Sequence, residues 1–333
     1  MKVFKIVVAL FSATLLFTPM KVQGNENNVY ETWKQETIIS PDKGKVVAAG
    51  EIVITFSPLI DDTIIIDYYD VYLDGVYNNT IEASKDIELT STVYTTEVQA
   101  HTIQVVAISD EYKLHSNIRT FGVSKKGIGV DKNKQMQDMH LSWYYNWDKK
   151  PSNTITNLEY VPMIWSNYEG SIEWLQTKSK NYHTVLGFNE PDLVDQANIE
   201  PHIASIYQEH FTASNLRIGA PVVSYDPSNN AWFDTYVRTT DMDDIDFIPM
   251  HVYYDWGGEG MVDAFFKAID DTYEKYQKPI WISEYGLTNI WLYGQENTSN
   301  LEQIKQYMKD TIKGLEEREY VERYAWFSYG MMI

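Results

Sequence analysis

The stretch Leu186-Gly-Phe-Asn-Glu-Pro-Asp192, LGFNEPD, is an apolar run that stops at an amide, a carboxylate and a proline. Residues 184–189, TVLGFN, read as a short buried strand. Pro191 disfavours helical dihedrals at Glu190, so that carboxylate is expected on extended or turning backbone at the strand's end. Asn189 and Glu190 are neighbours and would point to opposite faces of an ideal strand. Both reach one ligand only if the strand end bends or bulges. Outward from this stretch the same unit repeats. Apolar strands are expected at 127–130, 140–145, 160–165, 184–189, 216–223, 246–253, 279–285 and 323–328. Between them lie segments of helical period, such as Met261, Val262, Phe265, Phe266, Ile269 and Tyr273. Leu301, Ile304, Met308 and Ile312 form another, with Ser299 and Glu302 placed as a capping box, and Pro201 marks a third helix start. Eight strand–helix units over residues 124–333 predict a (β/α)8 TIM barrel. The second helix, around PSNTITN, is weak, and the chain ends almost directly after the eighth strand. A missing last helix suits a truncated chain or a fragment.

Residues 25–123 have a different rhythm. GEIVITFSPL, TIIIDYYDVYLDG, HTIQVVAIS and SNIRTFGV are β-branched and aromatic runs separated by turn residues. Ile52, Ile54 and Phe56 alternate with Val53, Thr55 and Ser57, which predicts a small antiparallel β-sandwich. The YDVYLDG hairpin and the later HTIQVVAIS strand resemble a fibronectin type III module, expected to be a spacer or packing unit, with carbohydrate binding as the alternative. Ahead of it, Lys2 and Lys5 precede an apolar run from Ile6 to Phe17, and Val22 and Gly24 supply small residues at cleavage spacing. Residues 1–24 are therefore expected to be a signal peptide, too short for a stable anchor. The mature protein is expected to be secreted, periplasmic or at the cell surface, and to act as a monomer without inserting in the membrane.

The chain has 333 residues, a formal net charge of −20 and no cysteine. Such a charge repels nucleic acid and anionic membrane, so neither is expected as a partner. Without cysteine there is no disulfide, thiolate zinc site or thiol nucleophile. The seven histidines show no metal-binding spacing, and TTDMDDIDF (239–247) lacks the glycine and terminal glutamate of an EF-hand loop. No metal or cofactor is expected.

A barrel of this kind carries its active site at the carboxyl ends of its strands. Strand four ends at Asn189-Glu190, strand seven at Glu284-Tyr285, strand six at His251-Val-Tyr-Tyr254, and strand eight carries Trp326. Two acids thus project into one mouth lined by aromatics. Facing carboxylates suit glycoside hydrolysis: one stays protonated for the leaving oxygen, the other stays ionised to attack or to activate water. Nine of the ten tryptophans follow residue 125. Trp143, Trp147, Trp165, Trp256 and Trp326 fall at or just beyond strand ends, where a ring can stack on a pyranose, whereas Trp174 and Trp232 lie on helices as core.

GFNEPD and WISEYG, with SWYYNW and YVPMIW before them, resemble the clan A retaining glycosidases, and most closely glycoside hydrolase family 128, the compact endo-β-1,3-glucanases. The resemblance spans residues 125–328. It implies Glu190 as general acid/base and Glu284 as nucleophile, with Asn189 on the 2-hydroxyl of the sugar at the cleavage point. It further implies that Tyr253, or Tyr254 in the other register, orients Glu284, and that Trp326 floors the reacting sugar. Trp143, Tyr145, Trp165 and His251 complete the expected polysaccharide-binding set. The expected activity is that of a secreted endo-β-1,3-glucanase, hydrolysing β-1,3-glucan with retention through a covalent glycosyl-enzyme. The alternatives are another clan A glycosidase acting on mannan, xylan or other β-glucan, and a non-catalytic glycan-binding barrel.

Overall fold

The computed structural model describes residues 27–84, 87–129, 139–155, 157–177, 179, 182–254, 260–287 and 301–327. The expected leader, the Ser299 cap and Trp256 lie outside the described residues.

The described residues open with helix α1 (Asn27–Glu36), followed by eight strands: β1 (Ile38–Ser40), β2 (Gly50–Phe56), β3 (Tyr68–Leu73), β4 (Val76–Glu82), β5 (Leu89–Thr95), β6 (Ala100–Ile108), β7 (Lys113–His115) and β8 (Arg119–Gly122). They pair antiparallel into a three-stranded sheet, β1-β2-β5, and a five-stranded sheet, β4-β3-β6-β7, with β8 also on β6. The alternation along β2 does what its period requires: Ile52, Ile54 and Phe56 are buried while Glu51 and Val53 face water. They share one apolar core with Tyr69 and Val71 of β3, Ile103 and Val105 of β6, and Trp33 of α1.

From Lys126 onward eight strands are parallel. They are β9 (Lys126–Gly129), β10 (Trp143–Tyr145), β11 (Glu159–Tyr160), β12 (Thr184–Val185), β13 (Arg217–Ile218), β14 (Ile248–Tyr254), β15 (Ile280–Leu287) and β16 (Val321–Trp326). Each falls inside or beside its expected stretch. Six form one sheet in the order β11-β10-β9-β16-β15-β14, and β12 pairs with β13. Parallel bridges Met163–Leu186 and Gly219–Phe247 join these two sheets at both edges, so the ring closes. Among the described residues, closure leaves the barrel no open sheet edge.

Among the described residues five helices cross over between strands: α2 (Glu169–Thr177), α3 (Pro201–Thr212), α4 (Ala231–Thr239), α5 (Met261–Tyr276) and α6 (Leu301–Glu317). The third helix starts at Pro201 as expected. No helix forms in the described part of PSNTITN, where Ser152 and Asn153 bend instead. No helix of the described residues is long and apolar enough to cross a membrane.

The barrel interior is filled by Trp143, Met163, Leu186, Val222, Phe247, Trp281 and Ala325. Phe247 stacks on Trp281 at 4.1 Å between ring centroids. Below this plug, at the amino ends of the strands, the filling becomes ionic. Arg323 contacts Glu159 at 2.5 Å and donates to the Gly44 carbonyl at 2.6 Å. Arg217 and Lys45 both pair with Glu322. The 43–46 segment, which precedes β2, therefore closes the floor of the barrel. The site lies at the opposite end.

Candidate active site

Glu190 is held by an irregular strand end. Leu186 packs inside the barrel, yet Phe188 two residues later packs outside against Phe211 and Tyr207. The alternation breaks at Gly187, where a Cβ would lie 2.6 Å from the Ala220 carbonyl oxygen. Beyond it Glu190 adopts a left-handed backbone, φ 41°, fixed by its N–H donating to Val222 O at 2.7 Å. For a side chain other than glycine this conformation costs about 1–3 kcal/mol, and it persists because the surroundings impose it. It supplies the bend needed at the Asn189–Glu190 pair.

Glu284 reaches the interior by a different device. Trp281 points in and Ile282 out, so strict alternation would send Glu284 out. The register shifts instead. Met250 pairs with Ile282 but His251 pairs with Glu284, leaving Ser283 as the extra residue of a bulge. Ser283 donates its hydroxyl to Met250 O, and Tyr285 returns to the outer face against Phe265. One inserted residue thus turns Glu284 toward Glu190.

The two acids meet over His251. Oxygen and nitrogen donors of Glu190, His251 and Glu284 all lie within 4.8 Å of one another. His251 is fully buried, Glu284 is 6% exposed and the Glu190 side chain 12%. His251 Nδ1 is 2.7 Å from Glu190 Oε1, and its Nε2 lies 3.3 Å from Glu284 Oε1 without hydrogen-bond alignment. Burial disfavours the charged imidazole, but the charges of Glu284 and Glu190 and the Glu190 hydrogen bond outweigh it and raise its pKa. Glu284 is further hydrogen-bonded by O–H and N–H donors. Tyr253 donates to Oε2. Trp147 Nε1 donates to Oε1 at 2.6 Å, and Tyr145 OH lies 3.2 Å from Oε1 and 2.9 Å from Ser283 O. Burial and then the Glu284 charge push both tyrosine pKa values well up, so both remain donors. The Glu190–His251–Glu284 group is close enough to hold a cation, but the donors around Glu284 suit a bare carboxylate.

Asn189 lies 4% exposed at the same mouth, its Nδ2 donating to Gln196 and its Oδ1 without a partner. Such an orphaned acceptor suits a ligand hydroxyl. Tyr253 is the residue in register, because Tyr254 packs with the outer core. Trp165 is half-buried at this end and stacks with Tyr168. Tyr145 and His251 are fully buried but face the acids, whereas two expected ligand-binding tryptophans are turned away from the site. Trp143 has no exposure and spends its indole N–H on Lys125 O inside the barrel. Trp326 faces outward onto Tyr285 and Tyr307 under α6, since Ala325 takes the inward position on β16. The ring beside the site is Phe327, edge-on to both Tyr253 and Trp147. Phe327 and Gln196 were missed as site residues, and Trp147, expected as a ring that stacks on sugar, instead donates to Glu284. Trp147 had a signal in its strand-end place, whereas Phe327 and Gln196 had none.

Residues 122–332 match the family described as glycosyl hydrolase catalytic core. The chain belongs to that family. A curated relative, alkali-sensitive linkage protein 1 of Schizosaccharomyces pombe, is 27% identical over 195 residues. That match takes 56% of this chain and 34% of the relative, so the chain spans about a third of that protein's length. Among solved structures, the glycoside hydrolase family 128 subgroup I endo-β-1,3-glucanase of Amycolatopsis mediterranei, in complex with laminaritriose, is 29% identical with a TM-score of 0.55. The similarity covers 61% of this chain and 88% of that one. A subgroup III curdlan-specific exo-β-1,3-glucanase of Blastomyces gilchristii, in complex with glucose, is 26% identical with a TM-score of 0.50, covering 63% and 91%. The fold shared with these enzymes is a TIM-like barrel.

Proposed function

We propose that the protein is a glycoside hydrolase that cleaves β-1,3-glucan internally and with retention of anomeric configuration. The observation that carries this reading is the approach of Glu190 and Glu284, whose oxygens lie within 4.8 Å across His251. Retaining glycosidases hold their carboxyl groups about 5–5.5 Å apart, whereas inverting ones leave about 6.5–9.5 Å for a water. The substrate class is supported by the laminaritriose and glucose complexes of the two similar enzymes.

Glu190 protonates the glycosidic oxygen while a Glu284 oxygen forms a bond to the anomeric carbon. The bond to the leaving sugar breaks, and its electron pair accepts the Glu190 proton. Water then attacks the anomeric carbon, Glu190 takes its proton, and the ester bond to Glu284 breaks. His251 shares the Glu190 proton through Nδ1, Tyr253 holds the departing Glu284 carboxylate, and Asn189 Oδ1 receives the 2-hydroxyl of the reacting sugar. Phe327, in place of Trp326, forms part of the wall.

Residues 1–24 serve as a signal peptide that directs the protein out of the cytoplasm. The preceding module is read as a fibronectin type III-like sandwich of residues 25–123, and the mature enzyme as a monomer. The pair is tested by Glu284→Ala with an activated aryl β-glucoside and azide. The expected result is restored turnover and a glycosyl azide of inverted configuration. Failure of azide to restore activity, in a protein that still binds laminari-oligosaccharides, removes Glu284 as nucleophile.

A further inference from the structure

We infer that Trp147 is a positioning residue for the nucleophile: its indole N–H fixes Glu284 Oε1 and supports the charge there. This rests on Glu284 being the nucleophile. Among the described residues no lysine or arginine pairs with Glu284 or Glu190, and His251 is the only basic side chain in contact with them. The Glu284 charge is thus carried largely by neutral donors. Tyr253 has Oε2. On Oε1, the single Tyr145 proton is divided between Glu284 at 3.2 Å and the closer Ser283 carbonyl at 2.9 Å. His251 Nε2 is near but misaligned. The Trp147 N–H, at 2.6 Å, is the short donor to this oxygen.

The chain holds Trp147 for that purpose. Its backbone is left-handed, φ 58°, a conformation that a bulky residue adopts only when its surroundings impose it. The next residue is pinned: Asp148 O accepts from Met163 N at 3.0 Å and from Tyr160 OH at 2.6 Å. The indole lies between Tyr145, 5.0 Å away, and the edge of Phe327, 5.8 Å away. It crosses the end of β9 at Gly129, where a Cβ would come within 3.2 Å of the ring. A ring so confined can direct its N–H at one oxygen and little else.

Removing the N–H while keeping the ring is the test. In Trp147→Phe, kcat/KM on laminarin is expected to fall about 10- to 100-fold, the effect of losing one hydrogen bond to a charged group. The fall is expected in kcat, with KM little changed. Trp147→3-benzothienylalanine, which replaces the N–H by sulfur at nearly constant shape, is expected to reproduce that fall in kcat and covers the case in which Trp147→Phe folds poorly. A kcat unchanged in the benzothienyl variant, or a loss confined to KM, overturns the inference and leaves Trp147 as a packing or stacking residue. If the wild type hydrolyses no β-glucan or aryl β-glucoside, the functional reading fails instead, and the two outcomes are distinct.

Discussion

The chemistry of the site depends on what surrounds two carboxylates. Glu190 shares a proton position with His251 Nδ1, and Glu284 is clasped by Tyr253 and Trp147, so the two acids have different neighbours. That asymmetry suits the proposed roles, in which the acid that can exchange a proton with an imidazole handles protons and the one held by fixed donors attacks. Glu190→Gln is expected to lower kcat on laminarin by about 10²- to 10⁴-fold, the usual worth of a general acid–base group. Substrates with an activated aryl leaving group need less protonation, so with them the glycosylation step is expected to suffer less. Binding of laminari-oligosaccharides, measured by calorimetry, is expected to persist. Equal losses on both substrate types contradict the assignment.

Elements deliver these residues through two local irregularities, the break at Gly187 and the bulge at Ser283. Gly187→Ala sets a Cβ 2.6 Å from the Ala220 carbonyl, backbone that cannot move without displacing β13. A loss of about 1–3 kcal/mol is expected, as for other overpacked interiors, together with lower activity from a displaced Glu190. Urea unfolding beside kcat checks both, and wild-type values for both contradict the account. The same irregularities mark where the sequence stops being legible. The β14 segment alternates strictly, so His251 and Tyr253 share a face and can be paired from sequence alone. The eight strands and most crossovers follow from apolar period and length. A bulge leaves no such pattern, since it is decided by cross-strand pairing, and the inward turn of Glu284 is visible only in the register. The Trp326 position failed for a related reason: two adjacent aromatics end β16, and which one faces inward depends on the phase of the strand. Trp143 is a strand-end aromatic by sequence, yet Gly127 leaves space on β9 for its ring to fill the barrel.

On the scale of the molecule, the amino-terminal sheets and the barrel share a floor. Arg323 is 1% exposed and depends on Glu159 and on Gly44 O from the segment before β2. Lys125, just before β9, donates to the carbonyls of Leu315, Glu316 and Arg318 at the end of α6. Removing residues 27–124 therefore opens the barrel's ionic end to water, and the truncated chain is expected to lose cooperative thermal unfolding in calorimetry. An unchanged melting temperature contradicts this. Arg323→Met strands a buried Glu159 and is expected to cost about 3–5 kcal/mol, read from unfolding curves. The floor also sets a pH dependence. His183 touches Thr120, and burial followed by the charges of Arg119, Lys43 and Arg323, against that of Glu159, lowers its pKa below the ordinary 6.5. The unfolded chain then binds the proton first, so His183 costs stability progressively as pH falls below 6.5. His101 and His251, whose pKa values are raised, contribute with the opposite sign. The wild type minus His183→Gln difference in melting temperature isolates the effect, and it is expected to become more negative from pH 7 to pH 5.

The central claim is that Glu284 becomes covalently bonded to the sugar. It is tested most directly by treating the protein with a 2-deoxy-2-fluoro-β-laminaribiosyl fluoride, which forms the glycosyl-enzyme quickly and releases it slowly, and locating the added mass by peptide mass spectrometry. The account predicts one label per chain, on the peptide carrying Glu284. A label on any other residue, or turnover of laminarin by a protein that never becomes labelled, contradicts it.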